Sequence, residues 1–128
     1  MKIEHIAIWT RDLERLKDFY LIYFDAQANE KYVNPSNGFE SYFLSFASGP
    51  RVELMSRLDV EPNASAPDYP VGFTHLAFSV GSKERVDSLT DKLRQDDYKV
   101  VSEPRTTGDG YYESIIADPD GNLVEITI

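Results

Sequence analysis

Cysteine is absent from this chain, and histidine occurs only twice. Without thiols there is no disulfide, no zinc ribbon and no cysteine nucleophile. Basic residues are scarce against acidic ones, 13 to 22, leaving a net charge of −9 at pH 7. That charge repels phosphate backbones and anionic lipid, so neither nucleic acid nor a membrane surface is an expected partner. No apolar run reaches the length of a membrane span. No charged-then-apolar leader with a small-residue cleavage site opens the sequence, so the expected location is cytoplasmic. The 128 residues suit one domain with a proper core.

What is present falls into two similar halves. The only histidines open His5-Ile6-Ala7-Ile8 and His75-Leu76-Ala77-Phe78, 70 positions apart. Glu53, in Val52-Glu53-Leu54, and Glu125, in Val124-Glu125-Ile126, stand 72 apart. The stretch Lys2 to Trp9 alternates and reads as a strand, with Ile6 and Ile8 on one face and His5, Ala7 and Trp9 on the other. Asp12 caps a helix carrying Leu13, Leu16, Phe19, Tyr20 and Tyr23. A weak strand over Ala28 to Val33, strands over Glu40 to Phe46 and Arg51 to Met55, and the turn Ser48-Gly49-Pro50 complete a β-α-β-β-β order. After Ser56 the prolines at 62, 67 and 70 break regular structure and read as a linker or lid.

The order then repeats. Phe73 to Val80 is a strand, and Ser82 caps a helix carrying Val86, Leu89 and Leu93. Strands follow from Lys99, over Tyr111 to Ala117, and over Leu123 to Ile128, with Asp118-Pro119-Asp120-Gly121 as a turn. The expected fold is therefore α+β: two tandem βαβββ modules, 1–56 and 72–128, joined by a linker over 57–71 within a single domain over 1–128.

Each of the four polar residues sits beside apolar strand neighbours, and period-two alternation sends it to the face away from the helix. Any one alone is an ordinary outward residue. Taken together, two carboxylates on a shared sheet concavity repel and lose hydration, and a divalent cation removes that conflict. Two imidazoles and two carboxylates suit a metal that keeps positions open for water or substrate. The expected metal ligands are His5, Glu53, His75 and Glu125.

These segments, with Gly72-Phe73-Thr74-His75 and Asp118-Pro119-Asp120-Gly121-Asn122-Leu123-Val124-Glu125, resemble the vicinal oxygen chelate superfamily over essentially the whole chain. This is the superfamily of glyoxalase, bleomycin-resistance and extradiol-dioxygenase proteins. The resemblance implies a cupped mixed sheet with a helix outside each module, one divalent metal (Ni, Zn, Co, Mn or Fe) in the cup, and a homodimer. The full ligand set is similar to that of glyoxalase I, a lyase or isomerase acting by proton transfer beside a metal-chelated carbonyl. Extradiol dioxygenases and fosfomycin-resistance enzymes differ in their carboxylates, methylmalonyl-CoA epimerases tend to have a glutamine ligand, and bleomycin-binding members dispense with metal. In that frame Glu125 is the expected base and Glu53 its mirror partner, while Trp9, Arg57, Arg105 and Tyr111 are candidate substrate contacts.

Two positions depart from bacterial glyoxalase I, which resembles this chain but typically has arginine and asparagine where Trp9 and Arg57 stand. Those residues are associated with holding glutathione, so a strictly glutathione-dependent substrate is not expected. The Gly-rich stretch from Glu103 to Gly110 is a candidate mobile lid. A binding or antibiotic-resistance protein without catalysis, an epimerase-type enzyme, and a silent dimerisation module are the competing readings.

Overall fold

A computed structural model describes residues 1–62 and 71–128; most of the linker assigned to 57–71 lies outside the described residues. The chain forms two compact units, Met1–Ala66 and Pro67–Ile128, each with its own sheet and helix. This is the mixed α+β arrangement expected of tandem modules.

In the first unit, β1 (His5–Trp9) leads into α1 (Leu13–Tyr23), followed by β2 (Gln27–Ala28), β3 (Tyr32–Asn34), β4 (Phe39–Ser45) and β5 (Arg51–Ser56). The Asp12 carboxylate accepts from the Arg15 N–H at 3.1 Å and so caps α1. Leu13, Leu16, Phe19 and Tyr20 form the buried stripe of α1. Their counterparts on the sheet are Leu44, Val52 and Leu54, all buried. Strands run in the order β1-β5-β4-β2, with β3 also on β4 and β1 parallel to β5.

The weak strand expected over Ala28 to Val33 is in fact two short ones. Asn29 divides them: its Oδ1 accepts the Phe43 N–H at 2.7 Å and its own N–H reaches the Phe43 carbonyl. A side chain bonded to the strand edge in this way interrupts the regular ladder.

The second unit repeats the plan with β6 (His75–Ser79), α2 (Lys83–Gln95), β7 (Val100–Thr106), β8 (Tyr112–Ala117) and β9 (Leu123–Thr127), ordered β6-β9-β8-β7. Ser82 caps α2 through the Arg85 N–H. Its buried stripe is Val86, Thr90 and Leu93, with Leu89 only half-buried. Thr90 fits the core because its hydroxyl is doubly bonded, to the Val86 carbonyl at 2.6 Å and to Ser114 Oγ at 2.7 Å. Strand β7 runs through Pro104, tolerated because β7 is an edge strand whose register to β8 shifts between Ser102 and Arg105.

The two glutamate-bearing strands leave similar turns. Gly49 and Gly121 both adopt left-handed backbone, φ 88° and 86°, ahead of β5 and β9. At the second turn the Asp118 carboxylate, nearly buried, accepts from the Asp120 and Asn122 N–H groups and from Asn122 Nδ2. That bracing fixes where β9 starts, and hence which face Glu125 takes.

Candidate metal centre

Register places each histidine and glutamate on the sheet face opposite the helix. In the first unit Ile6 pairs with Val52 and Ile8 with Leu54 on the helix side, leaving His5, Ala7 and Glu53 on the other. Ala7 is the direct partner of Glu53. The alanine is small, so the His5 ring can lean along the strand toward the carboxylate, and Nε2 comes to 3.7 Å from Glu53 Oε2. The second unit repeats this: Ala77 pairs with Glu125, and His75 Nε2 stands 3.3 Å from Glu125 Oε2.

Those separations bear on metal binding. Donors ~2.1 Å from one ion stand roughly 3.0–3.4 Å from each other. The second pair already meets that spacing, and the first has a few tenths of an ångström to close. Nitrogen with carboxylate oxygen is a donor set for divalent transition metals. Each unit thus offers two donors that fit an ion; among the described residues no three His, Cys, Asp or Glu groups gather as its ligands.

The two pairs differ in their surroundings. Beside His5, the ring of Phe43 packs edge-on at 5.4 Å, and Arg51 lies over Phe43 at 4.2 Å. In the second unit a further carboxylate, Glu113, lies against Glu125. Burial raises the Glu125 carboxyl above its usual range, Glu113 adds to the rise, and His75 opposes it. Glu113 was not apparent from the sequence. Its only signal there was alternation, since it stands two residues before Ile115, the β8 partner of Glu125.

The candidate substrate contacts separate. Trp9 and Arg57 come together, lining an open cavity of about 310 Å³ with Asp59, Val60 and Glu61. Arg57 is already engaged there, its Nε and Nη2 each 2.9 Å from the Asp59 carboxylate. Arg105 lies on β7, with Nη2 3.6 Å from Glu113 and Nε donating to Ser102. Tyr111 is exposed and closes the β7–β8 hairpin through its backbone. The first half of the Gly-rich stretch, Glu103 to Thr106, belongs to β7, and its second half is that hairpin turn, held by Thr107 N–H to the Tyr111 carbonyl, Tyr111 N–H to Thr107 Oγ1, and Gly110 N–H to the Thr107 carbonyl. Tyr112 points to the helix side, its hydroxyl donating to Asp87 at 2.7 Å.

The model of the Glyoxalase/Bleomycin resistance protein/Dioxygenase superfamily matches residues 2–126. The chain belongs to that superfamily. The uncharacterized protein YqjT of Bacillus subtilis is 32% identical over 130 residues, covering 97% of this chain and 96% of that one. Among solved structures, a V278E mutant of maize (Zea mays) glyoxalase I is 25% identical with a TM-score of 0.78 over 98% of this chain. The present chain spans only 44% of the maize protein. The trypanothione-dependent glyoxalase I of Leishmania major, 22% identical with a TM-score of 0.77, covers 99% of this chain and is covered over 86% of its own; it shares the fold. No helix among the described residues is long and apolar enough to cross a membrane.

Proposed function

We propose that this superfamily member is a metal-dependent lyase or isomerase of the glyoxalase type, moving a proton beside the carbonyl of a small substrate. The observation that carries the reading is the duplicated pair on the helix-free face of each sheet: His75 with Glu125 at ligand spacing, 3.3 Å, and His5 with Glu53 close to it, 3.7 Å. These four side chains would hold one divalent ion, and two carboxylates would balance its charge. A divalent ion held there supplies Lewis acidity to a carbonyl oxygen, stabilising the negative charge that develops as the adjacent carbon is deprotonated.

The chain's own residues do the rest. Glu125, only 15% exposed, is assigned as the base that accepts the proton at a carboxylate oxygen, and Glu53, 16% exposed, as its mirror partner. Their burial keeps bulk water from competing for that proton. The assembly we propose is a homodimer.

The substrate is proposed to differ from the glutathione hemithioacetal. Trp9 cannot clamp a carboxylate, and Arg57 is committed to Asp59 in a cavity that Glu61 also lines. Two carboxylates against one guanidinium make that cavity a poor host for an anionic end. The test supplies methylglyoxal hemithioacetals of several thiols to protein loaded separately with nickel, cobalt, manganese and zinc. Metal-dependent turnover with a thiol other than glutathione is expected. A specificity constant of ~10⁶ M⁻¹s⁻¹ or more with glutathione would refute the substrate assignment. A second reading, capture of a small molecule without chemistry, draws on the same 310 Å³ cavity. Saturable ligand binding by protein that carries no metal and turns nothing over would favour it.

A further inference from the structure

The repeat that builds the two His–Glu pairs is chemically broken immediately beside them. His5 follows Glu4 and pairs across the ladder with Arg51; His75 follows Thr74 and pairs with Leu123. The first pair therefore has a carboxylate and a guanidinium as neighbours, where the second has a hydroxyl and an alkyl chain.

In the first unit those neighbours are connected. Glu4 Oε2 lies 2.5 Å from His5 Nδ1. Its other oxygen takes the Arg51 fork, with Nε at 2.9 Å and Nη2 also in contact. The Arg51 N–H is in turn bonded to the Glu4 carbonyl, which ties the residue before β1 to the first residue of β5. Phe43 packs edge-on against the ring, with Arg51 over its own face. The imidazole is thus held at Nδ1 and packed at one side, while its Nε2 points to Glu53.

We propose that Glu4 is a positioning residue, holding His5 as the Nδ1-protonated tautomer so that Nε2 keeps its lone pair for the metal ion. The two ring nitrogens cannot both be donors and acceptors in a neutral imidazole, so a carboxylate at Nδ1 selects the proton's place there. A carboxylate behind a ligating histidine also orients the ring and raises its basicity. Arg51 keeps Glu4 in place by the two-pronged geometry that a lysine lacks. The two histidines of the repeat therefore arrive at the ion differently prepared: His5 pre-oriented, His75 with no neighbouring carboxylate of this kind among the described residues. This inference rests on the metal reading above for its purpose, though not for its geometry.

The test begins on metal-free protein. Long-range ¹⁵N–¹H correlation spectra resolve ring tautomers, and the chain has only two imidazoles to assign. At a pH where both rings are neutral, His5 is expected predominantly as the Nδ1–H form and His75 with less bias. Glu4→Ala is expected to remove the His5 bias and leave His75 unchanged. Glu4→Gln, which keeps an acceptor oxygen, is expected to retain most of it. Zinc affinity, measured by competition with an indicator, is expected to fall roughly tenfold or more in Glu4→Ala, and to stay at the wild-type value in Thr74→Ala. An unbiased His5 in the wild type, an unchanged tautomer ratio in Glu4→Ala, or zinc affinity within twofold of wild type in that variant would each overturn the proposal. Wild-type protein that binds no zinc, nickel, cobalt or manganese would refute the metal reading instead, and the tautomer comparison would still decide whether Glu4 sets the ring.

Discussion

Substituting Thr90 by valine keeps the shape of the side chain and removes its hydroxyl, which isolates the polar contact inside the second unit. Thr90 and Ser114 are both fully buried, and their oxygens are 2.7 Å apart. The Val86 carbonyl, which also takes the Thr90 hydroxyl, keeps its place in the helix ladder when that hydroxyl is lost. Among the described residues, the Ser114 hydroxyl has no second side-chain or carbonyl partner of this kind. Thr90→Val leaves its hydroxyl buried without this partner, a cost of about 1–3 kcal/mol. A 128-residue chain unfolds with an entropy of roughly 0.27 kcal/mol per degree, so the melting temperature should drop by about 4–11 °C. Ser114→Ala alone should cost less, about 0.5–1.5 kcal/mol, because Thr90 still has the Val86 carbonyl. The double variant places two apolar groups together and should be more stable than the sum of the single losses implies, by about 1 kcal/mol. Denaturant melts of all four proteins, followed by circular dichroism, provide the cycle. Strictly additive losses would show that the two hydroxyls are not partners, and the reasoning would fail.

Three further outcomes follow from the charges and surfaces. Because the folded Glu125 carboxyl is raised above its ordinary value, mainly by burial, its ionisation disfavours the metal-free fold as pH rises through 4.5 and beyond. Glu125→Gln should therefore melt higher than wild type at pH 7 without metal, with the gap closing below about pH 4, while binding divalent ions more weakly; a variant less stable at pH 7 would contradict the sign. Glu14 has the opposite shift, down to about 2, through Lys17 first and then the Tyr42 hydroxyl and Lys31. Its contribution is full above the ordinary value of 4.5 and is lost as pH falls toward 2, so Glu14→Gln should flatten acid unfolding in that window. The group is half exposed, which limits the effect at neutral pH to under about 1 kcal/mol. Sedimentation should give twice the 14.6 kDa chain mass at micromolar concentration, and a lone monomer with metal still bound would rule out the proposed dimer.

Sequence periodicity revealed the element order because both helices carry clear caps and apolar stripes, and because Asp118, Gly121 and Gly49 are residues that their turns require. It failed where a side chain acts as backbone or a polar residue acts as core. Asn29 occupies a ladder position with its amide, which splits a strand that composition alone makes continuous. Thr90 replaces Leu89 in the buried stripe because its hydroxyl is satisfied inside, a fact that depends on Ser114 from a distant strand. The face taken by each histidine and glutamate was legible because strand alternation fixes it; which ring meets which carboxylate was not, since that depends on the parallel register of β1 with β5 and of β6 with β9. Glu4 and Glu113 were not legible either, since their roles depend on contacts across the ladder and on a side chain bending round from its own position. Arg57 was named from the sequence as a candidate substrate contact; its bond to Asp59 was not legible there, because it depends on the backbone path after β5.

The most direct test of the metal reading is a titration of metal-stripped protein with zinc and with nickel, repeated for His5→Ala, Glu53→Gln, His75→Ala and Glu125→Gln. The account predicts one tightly bound ion per chain in the wild type and affinity lowered roughly tenfold or more in every one of the four variants. Undiminished binding in the variants of one unit, or in a combined His5→Ala and His75→Ala protein, would contradict it.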